Sequence, residues 1–405
     1  MRPFDGRRIL LGVTGGIASY KSVMLARLLT QAGADVDVVM TRAALEFVGA
    51  VTFEAVTGRR SHSEIFGAGN ALDHIRLPAE ANLVVVAPAT ADFIARVAHG
   101  HADDLLTACL LANTSPVLIV PAMNDRMWAN LQTRNNVSHL KELGYHVLDP
   151  DTGPLAAGEG SGPGRMPEPE AILGQVARLL EQAGALRGRK VVVTAGATRE
   201  PIDPVRFISN HSSGKMGVAI AEAAWRRGAE VTMIAGHTDV EPGPGIDVVG
   251  VDTTDDMARA VASALPAADV LVMAAAPADF RPSAAAEQKL KKRGKNGPSP
   301  IDLTPTIDIL RETQQSRRQD AIVVGFALET ENGLENARAK LDEKKLDLVI
   351  LNDATEPGAG FGGDTNRVTL ISGNGKEESL PLMSKRDVAE AILDRVEQLL
   401  DGRKG

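Results

Sequence analysis

The octapeptide Pro121-Ala122-Met123-Asn124-Asp125-Arg126-Met127-Trp128 follows an apolar run, Pro116-Val117-Leu118-Ile119-Val120. The run reads as a buried strand that breaks at a proline and delivers Asn, Met and Trp to its carboxyl end. Open parallel sheets bind ligands at that end. An asparagine amide carries both donors and acceptors and suits a carboxylate. Met and Trp offer polarizable walls for a flat ring or a thiol. Taken alone, the octapeptide equally suits a turn whose Met and Trp fill a core.

Other chemistry-bearing residues sit at similar places. Gly12-Val13-Thr14-Gly15-Gly16-Ile17-Ala18-Ser19 separates an apolar run from a helical pattern. Its backbone N–H groups can cradle a phosphate, with the Thr14 and Ser19 hydroxyls assisting. It is not Gly-x-Gly-x-x-Gly, so the dinucleotide fingerprint is not met, and a ligand-free tight turn stays open. Ala87-Pro88-Ala89-Thr90-Ala91-Asp92 ends another apolar run with small residues that let a flat ring approach. His74 lies in a segment that reads as strand-like. His99-Gly100-His101-Ala102-Asp103-Asp104 has metal-ligand types, but its glycine and the helix that follows favour a polar turn.

The second half repeats the theme. Thr194 to Arg206 and Phe207 to Gly217 form a polar, Gly-containing stretch before a helix, with Ser212 and Ser213 as candidate caps. Gly214-Lys215 is not a P-loop, since Ser209 and Met216 stand where that motif needs Gly and Ser or Thr. Ala274 to Pro282 ends a strand with Asp279, which suits a metal or a base. Gln288 to Lys295 is a basic run in an acidic chain, a solvated loop or a phosphate contact.

The elements that must position these residues follow one rhythm of strand, Gly-rich turn and helix. Strands are predicted at Arg8–Val13, Asp35–Met40, Leu83–Ala87 and Val117–Val120, with a helix over Ser19–Gln31. Asp149 to Arg165, rich in Gly and Pro, reads as a long loop, and a helix is predicted from Pro167 to Ala185. Past a linker at Gly184–Arg189 the rhythm restarts. Strands are predicted at Val191–Thr194, Glu230–Ala235, Asp269–Ala274, Ala321–Gly325 and Leu348–Leu351, with a helix over Lys215–Arg227. The fold class is α/β, with two tandem doubly wound domains, 1–188 and 189–405.

Composition narrows the function. The net charge of −8 argues against a nucleic-acid partner, which needs a basic face. No apolar run approaches the roughly 20 residues of a membrane span. Nothing at the start reads as a secretory signal, so a cytoplasmic protein is expected. Cys109 is the only cysteine, which excludes an intrachain disulfide and a Cys-based zinc site.

The first half resembles the flavin-dependent cysteine decarboxylases. The carrying residues are Gly-Val-Thr-Gly-Gly-Ile-Ala-Ser-Tyr-Lys at 12–21, His74-Ile75, Ala-Pro-Ala-Thr-Ala at 87–91, Pro-Ala-Met-Asn-Asp-Arg-Met-Trp at 121–128 and Gly-Pro-Gly-Arg-Met at 162–166. The resemblance implies a flavodoxin-like domain holding FMN. Gly15, Gly16, Ile17 and Ser19 would take its phosphate, with Thr41 and Thr90 nearby. His74 would be catalytic, Asn124 would grip the substrate carboxylate, and Met127, Arg165 and Met166 would touch substrate. An alkyl carboxylate has no electron sink. Oxidising the neighbouring thiol to a thioaldehyde makes one, and the electrons return after carbon dioxide leaves. One departure stands out. The family usually carries Ala-Cys-Gly or Ala-Ser-Gly in the loop before Gly-Pro-Gly-Arg-Met, and the cysteine is its proposed proton donor. Here Gly158 holds the nearest equivalent position, leaving Glu159, Ser161 or a water as donor.

The second half resembles the phosphopantothenate–cysteine ligases. It does so through Thr-Ala-Gly-Ala-Thr-Arg-Glu-Pro-Ile-Asp-Pro-Val-Arg at 194–206, Ile-Ser-Asn-His-Ser-Ser-Gly-Lys-Met-Gly at 208–217, Ala-Asp-Phe-Arg-Pro at 278–282, Lys289, Val-Gly-Phe-Ala-Leu-Glu-Thr at 324–330 and Asn352-Asp353. The tandem order is that of the bacterial bifunctional phosphopantothenoylcysteine decarboxylase / phosphopantothenate–cysteine ligase family of coenzyme A biosynthesis. The resemblance implies small-molecule substrates only: 4′-phosphopantothenate, cysteine and CTP as co-substrate, joined through an acyl-CMP. Asn210 would bind the acyl intermediate, Arg206 the substrate phosphate, and Lys289 the triphosphate. Ala275, Asp279, Ile307, Asp308, Ile309, Leu310, Phe326, Lys340 and Lys344 would bind CTP, with Asp279 also a ligand for Mg2+ or Mn2+. Ile307 stands where the family usually has Pro. The family implies a homo-oligomer, a dodecamer through the first domain with dimers of the second. A regulatory binding protein on the decarboxylase fold is the alternative from another class, and His74 with Asn124 argues against it. Decarboxylation of a peptide C-terminus is a third reading, disfavoured by the fused ligase.

Overall fold

Near-continuous apolar runs, buried on both faces, make the strands of the first unit. β1 (Arg8–Val13), β2 (Asp35–Met40), β3 (Ser61–His62), β4 (Leu83–Ala89), β5 (Val117–Pro121) and β6 (His146–Val147) form one sheet ordered β3-β2-β1-β4-β5-β6. Every neighbouring pair is parallel. Without the two-residue edge strand β3, the order is that of flavodoxin-like sheets. The helices are α1 (Ser19–Gln31), α2 (Ala50–Thr57), α3 (Asp73–Glu80), α4 (Ala91–Ala98), α5 (Leu105–Ala112), α6 (Asp125–Ala129), α7 (Leu131–Glu142) and α8 (Pro169–Leu180). α1, α2 and α8 cover one face of the sheet, and α3, α4, α5 and α7 the other. The computed structural model describes residues 3–66, 70–156, 158, 160–181, 184–290, 300–329, 332–353 and 363–403. Two units separate, Met1–Glu181 and Gln182–Gly405.

Four expectations need correction here. The segment around His74 is the first turn of α3, not a strand, and Asp73 there lies between His62 Nδ1 (3.0 Å) and Arg76 Nη2 (2.9 Å). The Asp149–Arg165 stretch is not a plain loop. It holds an antiparallel hairpin, β7 (Asp151–Pro154) with β8 (Ser161–Arg165), because alternating Gly and Pro still pair when one strand is short and two-stranded. The helix expected from Pro167 to Ala185 is only α8, because Pro169 opens it and fixes its first turn. Residues 184–189, read as a linker, pack in the second unit, with Leu186 fully buried and Gly188 N–H bonded to Gly228 O at 3.1 Å.

The second unit is built on β9 (Lys190–Ala195), β10 (Arg199–Pro201), β11 (Phe207–Ser209), β12 (Glu230–Ala235), β13 (Asp247–Gly250), β14 (Val270–Met273), β15 (Phe280–Pro282), β16 (Leu303–Pro305), β17 (Ile322–Glu329), β18 (Leu348–Asp353), β19 (Thr365–Asn366), β20 (Val368–Ser372), β21 (Glu377–Ser379) and β22 (Met383–Ser384). Its main sheet runs β13-β12-β9-β14-β17-β18-β20-β21, parallel as far as β18 and antiparallel beyond. α9 (Lys215–Arg226) and α13 (Lys385–Gly402) pack on one face. α10 (Thr254–Ala264), α11 (Ile309–Glu312) and α12 (Gly333–Glu343) pack on the other. Neither Ser212 nor Ser213 caps α9. The cap is Gly214 at φ +73°, where a Cβ would run into Thr238. Among the described residues no helix is long and apolar enough to cross a membrane.

α9 and α13 are joined by one buried cation. Arg227, at the carboxyl end of α9, meets Glu390 Oε2 (2.7 Å), Asp394 Oδ1 (2.9 Å) and Glu397 Oε2 (2.8 Å) of α13. Arg227→Met removes the cation shared by these three carboxylates, while Arg226 stays on Glu390. Urea unfolding of the second unit is expected to show a loss of about 3 kcal/mol, the low end for a broken buried pair. A loss below about 1 kcal/mol would mean the carboxylates relax into water at little cost, as exposed pairs do.

Candidate active sites

The first sheet changes direction between β1 and β4, and a cavity of about 480 Å³ opens beyond their carboxyl ends. The glycine turn with the start of α1, Pro88 to Ala91, Ala122 to Asn124 with Met127, and the β7-β8 hairpin line it. The turn is held from the inside. Thr14 Oγ1 donates to Pro88 O (2.7 Å) and accepts from Thr90 N–H (3.2 Å). Ser19 is fully buried, and its hydroxyl donates to Gly16 O at 2.6 Å. Both hydroxyls therefore shape the turn, where the sequence had suggested that they reach for a phosphate. The face left to a ligand is backbone. At Gly15 a Cβ would stand 2.5 Å from that of Ala43, whereas at Gly16 the nearest atom is Thr90 Cγ2 at 4.0 Å. Ala18, the N-cap of α1, makes no side-chain cap. Thr90 caps α4 by accepting from Phe93 N–H (3.2 Å).

The octapeptide serves both of its readings. Met123 and Trp128 pack against the core below the sheet, while Asn124 and Met127 line the cavity. Asn124 Oδ1 accepts from Arg126 N–H (2.9 Å) and caps α6, so the side chain offers a ligand its Nδ2 donor pair. The hairpin closes against this segment through Met123 N–H to Gly164 O (3.0 Å). Gly164 lies at φ +146°, and a Cβ there would run into Met123 O. Lys21, a residue given no role by the sequence, fastens the hairpin's far end. It is 5% exposed, and its Nζ donates to Met166 O (2.7 Å) and Glu168 Oε1 (3.0 Å), the carboxylate that also takes Arg165. Its only sequence signal was a lysine one turn into a helix that begins at a glycine turn.

Other expected members lie apart. His74 is not among the cavity's lining residues, and its buried Nδ1 has no hydrogen-bond partner. Thr41 is buried, its hydroxyl accepting from Ala44 N–H (3.3 Å), and it does not line the cavity. Met166 lines it but is 2% exposed, so it braces the hairpin. Gly158 stands in open space at φ +87°, Ser161 pairs with Pro154 in the hairpin, and Glu159 lies outside the described residues. The lone thiol is no substitute donor, because burial pushes Cys109 up to about 12. Among the described residues no group of three or more His, Cys, Asp or Glu is placed to hold a metal ion.

The second sheet changes direction between β9 and β14. Asn210 Nδ2 donates to Pro277 O (2.8 Å), which lays the Ile208–Gly217 segment against the end of β14. Ala275 N–H donates to Thr194 Oγ1 (3.1 Å). Thr306 binds both Ala278 O through its hydroxyl (2.6 Å) and Asp279 O through its N–H (3.0 Å), placing Ile307 to Leu310 beside the exposed Asp279. Asp308 accepts from Lys344 Nζ (3.0 Å). Burial opposes its ionisation, but Lys344 and the Arg311 N–H hold it below its usual value. Lys340 Nζ donates to Phe326 O (2.6 Å). α12 ends at Glu343, with Lys344 at its cap, one turn past Lys340. The side chains of Ile309 and Leu310 are buried, so only their backbone can meet a nucleotide.

Arg206 is engaged within the chain. Its Nε donates to Asp203 Oδ2 (2.9 Å), and its Nη2 to the same oxygen and to Leu290 O (2.7 Å). Lys289 is exposed next to that anchor, whereas Lys291 to Lys295 of the basic run lie outside the described residues. Asp203 was missed in the sequence. Its signal is an Asp-Pro-x-Arg turn, in which a carboxylate bonds its own backbone two residues on.

Comparison with known proteins covers both units. The flavoprotein family model matches residues 2–181, and that of the DNA/pantothenate metabolism flavoprotein C-terminal domain matches 186–400. The coenzyme A biosynthesis bifunctional protein CoaBC of Mycobacterium tuberculosis (strain ATCC 25618 / H37Rv) is 47% identical over 411 residues, covering 98% of this chain and 97% of its own. That of Bacillus subtilis (strain 168) is 43% identical over 400 residues, 98% of each chain. That of Vibrio vulnificus (strain CMCP6) is 40% identical over 402 residues, 99% of this chain and 100% of its own. The chain therefore belongs to the CoaBC family of bifunctional coenzyme A biosynthesis enzymes, a flavoprotein decarboxylase half followed by a cysteine-ligating half.

Proposed function

We propose that the second unit joins cysteine to 4′-phosphopantothenate at the expense of CTP, and that the first unit decarboxylates the resulting phosphopantothenoylcysteine to 4′-phosphopantetheine with FMN. The observation that carries the decarboxylase reading is the cavity that sets the Asn124 amide donors opposite an open glycine cradle. The cradle fits a single phosphate: Gly16 is unobstructed, and the start of α1 has no side-chain cap to compete. Bound there, FMN supplies the reversible two-electron acceptor that a cysteine carboxylate lacks. The chain's own residues do the rest. Asn124 Nδ2 holds the substrate carboxylate, Met127 and Arg165 bound the substrate on the hairpin side, and His74 handles a proton.

His74 stands outside the cavity of its own chain, so a neighbouring copy supplies it. An apolar stripe running from the glycine turn onto α1, Ile17, Tyr20 and Met24, is exposed and suits that contact between copies. The assembly is a homo-oligomer, a dodecamer built through the first unit with dimers of the second.

In the second unit the pantothenate carboxylate attacks the α-phosphorus of CTP and pyrophosphate leaves. The cysteine amine then displaces CMP from the acyl-CMP. Lys289 offsets charge on the triphosphate as pyrophosphate departs. Asn210, its Nδ2 already on Pro277, turns Oδ1 to the acyl intermediate. Arg206 keeps Nη1 for the substrate phosphate. Asp279 is one carboxylate, enough for a magnesium ion carried mainly by triphosphate oxygens. Lys340, Lys344, Phe326 and the Ala275 and Ile307–Leu310 backbones surround the nucleotide.

Purified protein given CTP, 4′-phosphopantothenate and cysteine is expected to release pyrophosphate and carbon dioxide and to carry visible flavin absorbance. Colourless protein that cannot be reconstituted with FMN and leaves CTP intact would sink the reading. Gly164→Ala pushes the hairpin off Met123 and should raise the decarboxylase KM at least tenfold, with ligase turnover unchanged. His74→Ala and Asn124→Ala should each abolish decarboxylation, and co-assembled mixtures of the two should regain part of it. Mixtures that stay silent would place the site within one copy.

A further inference from the structure

We infer that Asp203 is a positioning residue of the ligase half, setting where Lys289 stands by holding its neighbour Leu290. The inference deepens the reading of Lys289 given above and rests on it. Lys289 is exposed on a long flexible stem, so its aim depends on the backbone that carries it. That backbone is pinned at adjacent atoms. Leu290 N–H donates to Asp203 Oδ2 (3.1 Å), and Leu290 O accepts from Arg206 Nη2 (2.7 Å). Four residues earlier, Ala286 N–H donates to Ile202 O (2.9 Å). One short turn, Ile202 to Arg206, therefore grips both ends of the segment that presents Lys289.

The turn is stiff because of one carboxylate. Asp203 Oδ1 accepts from Val205 N–H (2.9 Å) and Arg206 N–H (3.0 Å), while Oδ2 takes the Arg206 guanidinium and Leu290 N–H. Its side chain is wholly buried. Arg206 first, and then these N–H groups, hold its carboxyl well below the usual range against the pull of burial, so it stays charged. Every donor it meets is directional, and charge-assisted bonds of this kind are the strong ones. The turn joins β10 to β11, and Asn210 follows β11 directly. One hairpin thus carries Asn210 past its end and holds Lys289 at its tip, fixing the two groups relative to each other. Asp203 touches neither nucleotide nor substrate in this scheme. It acts through Leu290.

The test is a double-mutant cycle on the first half-reaction in the full-length protein. Pyrophosphate release is timed after mixing with CTP and 4′-phosphopantothenate, with cysteine left out. Asp203→Asn sets an amide NH2 against these donors and is expected to slow release on the order of 10²-fold, the scale of a misplaced reacting group. Lys289→Gln is expected to slow it by about 10²–10³-fold. The double variant should be no slower than Lys289→Gln alone. Multiplying effects would overturn the inference while leaving Lys289 in its role, whereas a Lys289→Gln enzyme as fast as the parent would overturn both. Hydrogen exchange gives a readout that needs no variant. The Leu290 amide of the parent protein should exchange far more slowly than an open-chain amide, and Asp203→Asn should release it with the β9 and β12 amides unchanged. Open-chain exchange at Leu290 in the parent would overturn the inference even if the variant fails to fold.

Discussion

Parallel strands cannot be joined by a tight turn, so each connection must cross back over the sheet, in most cases as a helix. In both units the chain leaves its first strand toward one edge and comes back on the other side. β1 is flanked by β2 and β4, and β9 by β12 and β14. The connections on the two sides diverge, and a gap opens at the carboxyl ends that no helix fills. Most residues proposed for the chemistry are placed around these gaps, while His74 lies outside the first cavity. The glycine turn after β1 faces the end of β4 and the segment after β5, and the polar loop after β9 faces the end of β14.

The gaps stay usable because their walls are tied down from behind. A buried hydroxyl or carboxylate without a partner is costly, so polar groups near the sheet turn inward to the backbone. Thr14 and Ser19 do this in the first unit. In the second, Thr254 binds Glu200 through its N–H and its hydroxyl, both at 2.8 Å, and Thr198 donor and acceptor contacts join the turn after β9 to Ala278 and Thr254. Two of the polar side chains proposed for the sites are themselves half held: Asn124 Oδ1 accepts from Arg126 N–H and Asn210 Nδ2 donates to Pro277 O, which fixes how each amide is turned.

The sequence was most readable where periodicity and glycine carried the signal. Apolar runs of four to six residues located the central strands, since strands buried on both faces admit little else. It was least readable where one side chain's direction decided the outcome. Nothing in the motif around Ser19 says that its hydroxyl points down to Gly16 O and not out to a ligand. His74 lies in a mixed run whose polar and apolar residues fit strand or helix, and Asp73 beside it is held by His62 from outside the run and by Arg76 one helical turn on. Ser212 and Ser213 looked like caps by composition, but the approach of Thr238 admits only a glycine in left-handed geometry at position 214. Lys21 went unread because its partner Met166 is 145 residues away, and the reach of Asp203 to Leu290, 87 residues on, is likewise beyond the local turn it forms with Arg206.

The burial of Cys109 has a consequence for the cell chemistry of such an enzyme. Both halves handle sulfhydryl compounds, free cysteine in one and a cysteine-derived metabolite in the other. A catalyst with an ionised surface cysteine would exchange with disulfide forms of these compounds and stall, or be captured by peroxide. This chain's one sulfur of that type is sealed on the buried face of α5, where burial favours its protonated form. The protein can therefore pass sulfur metabolites through its gaps under oxidising stress without becoming covalently bound to them.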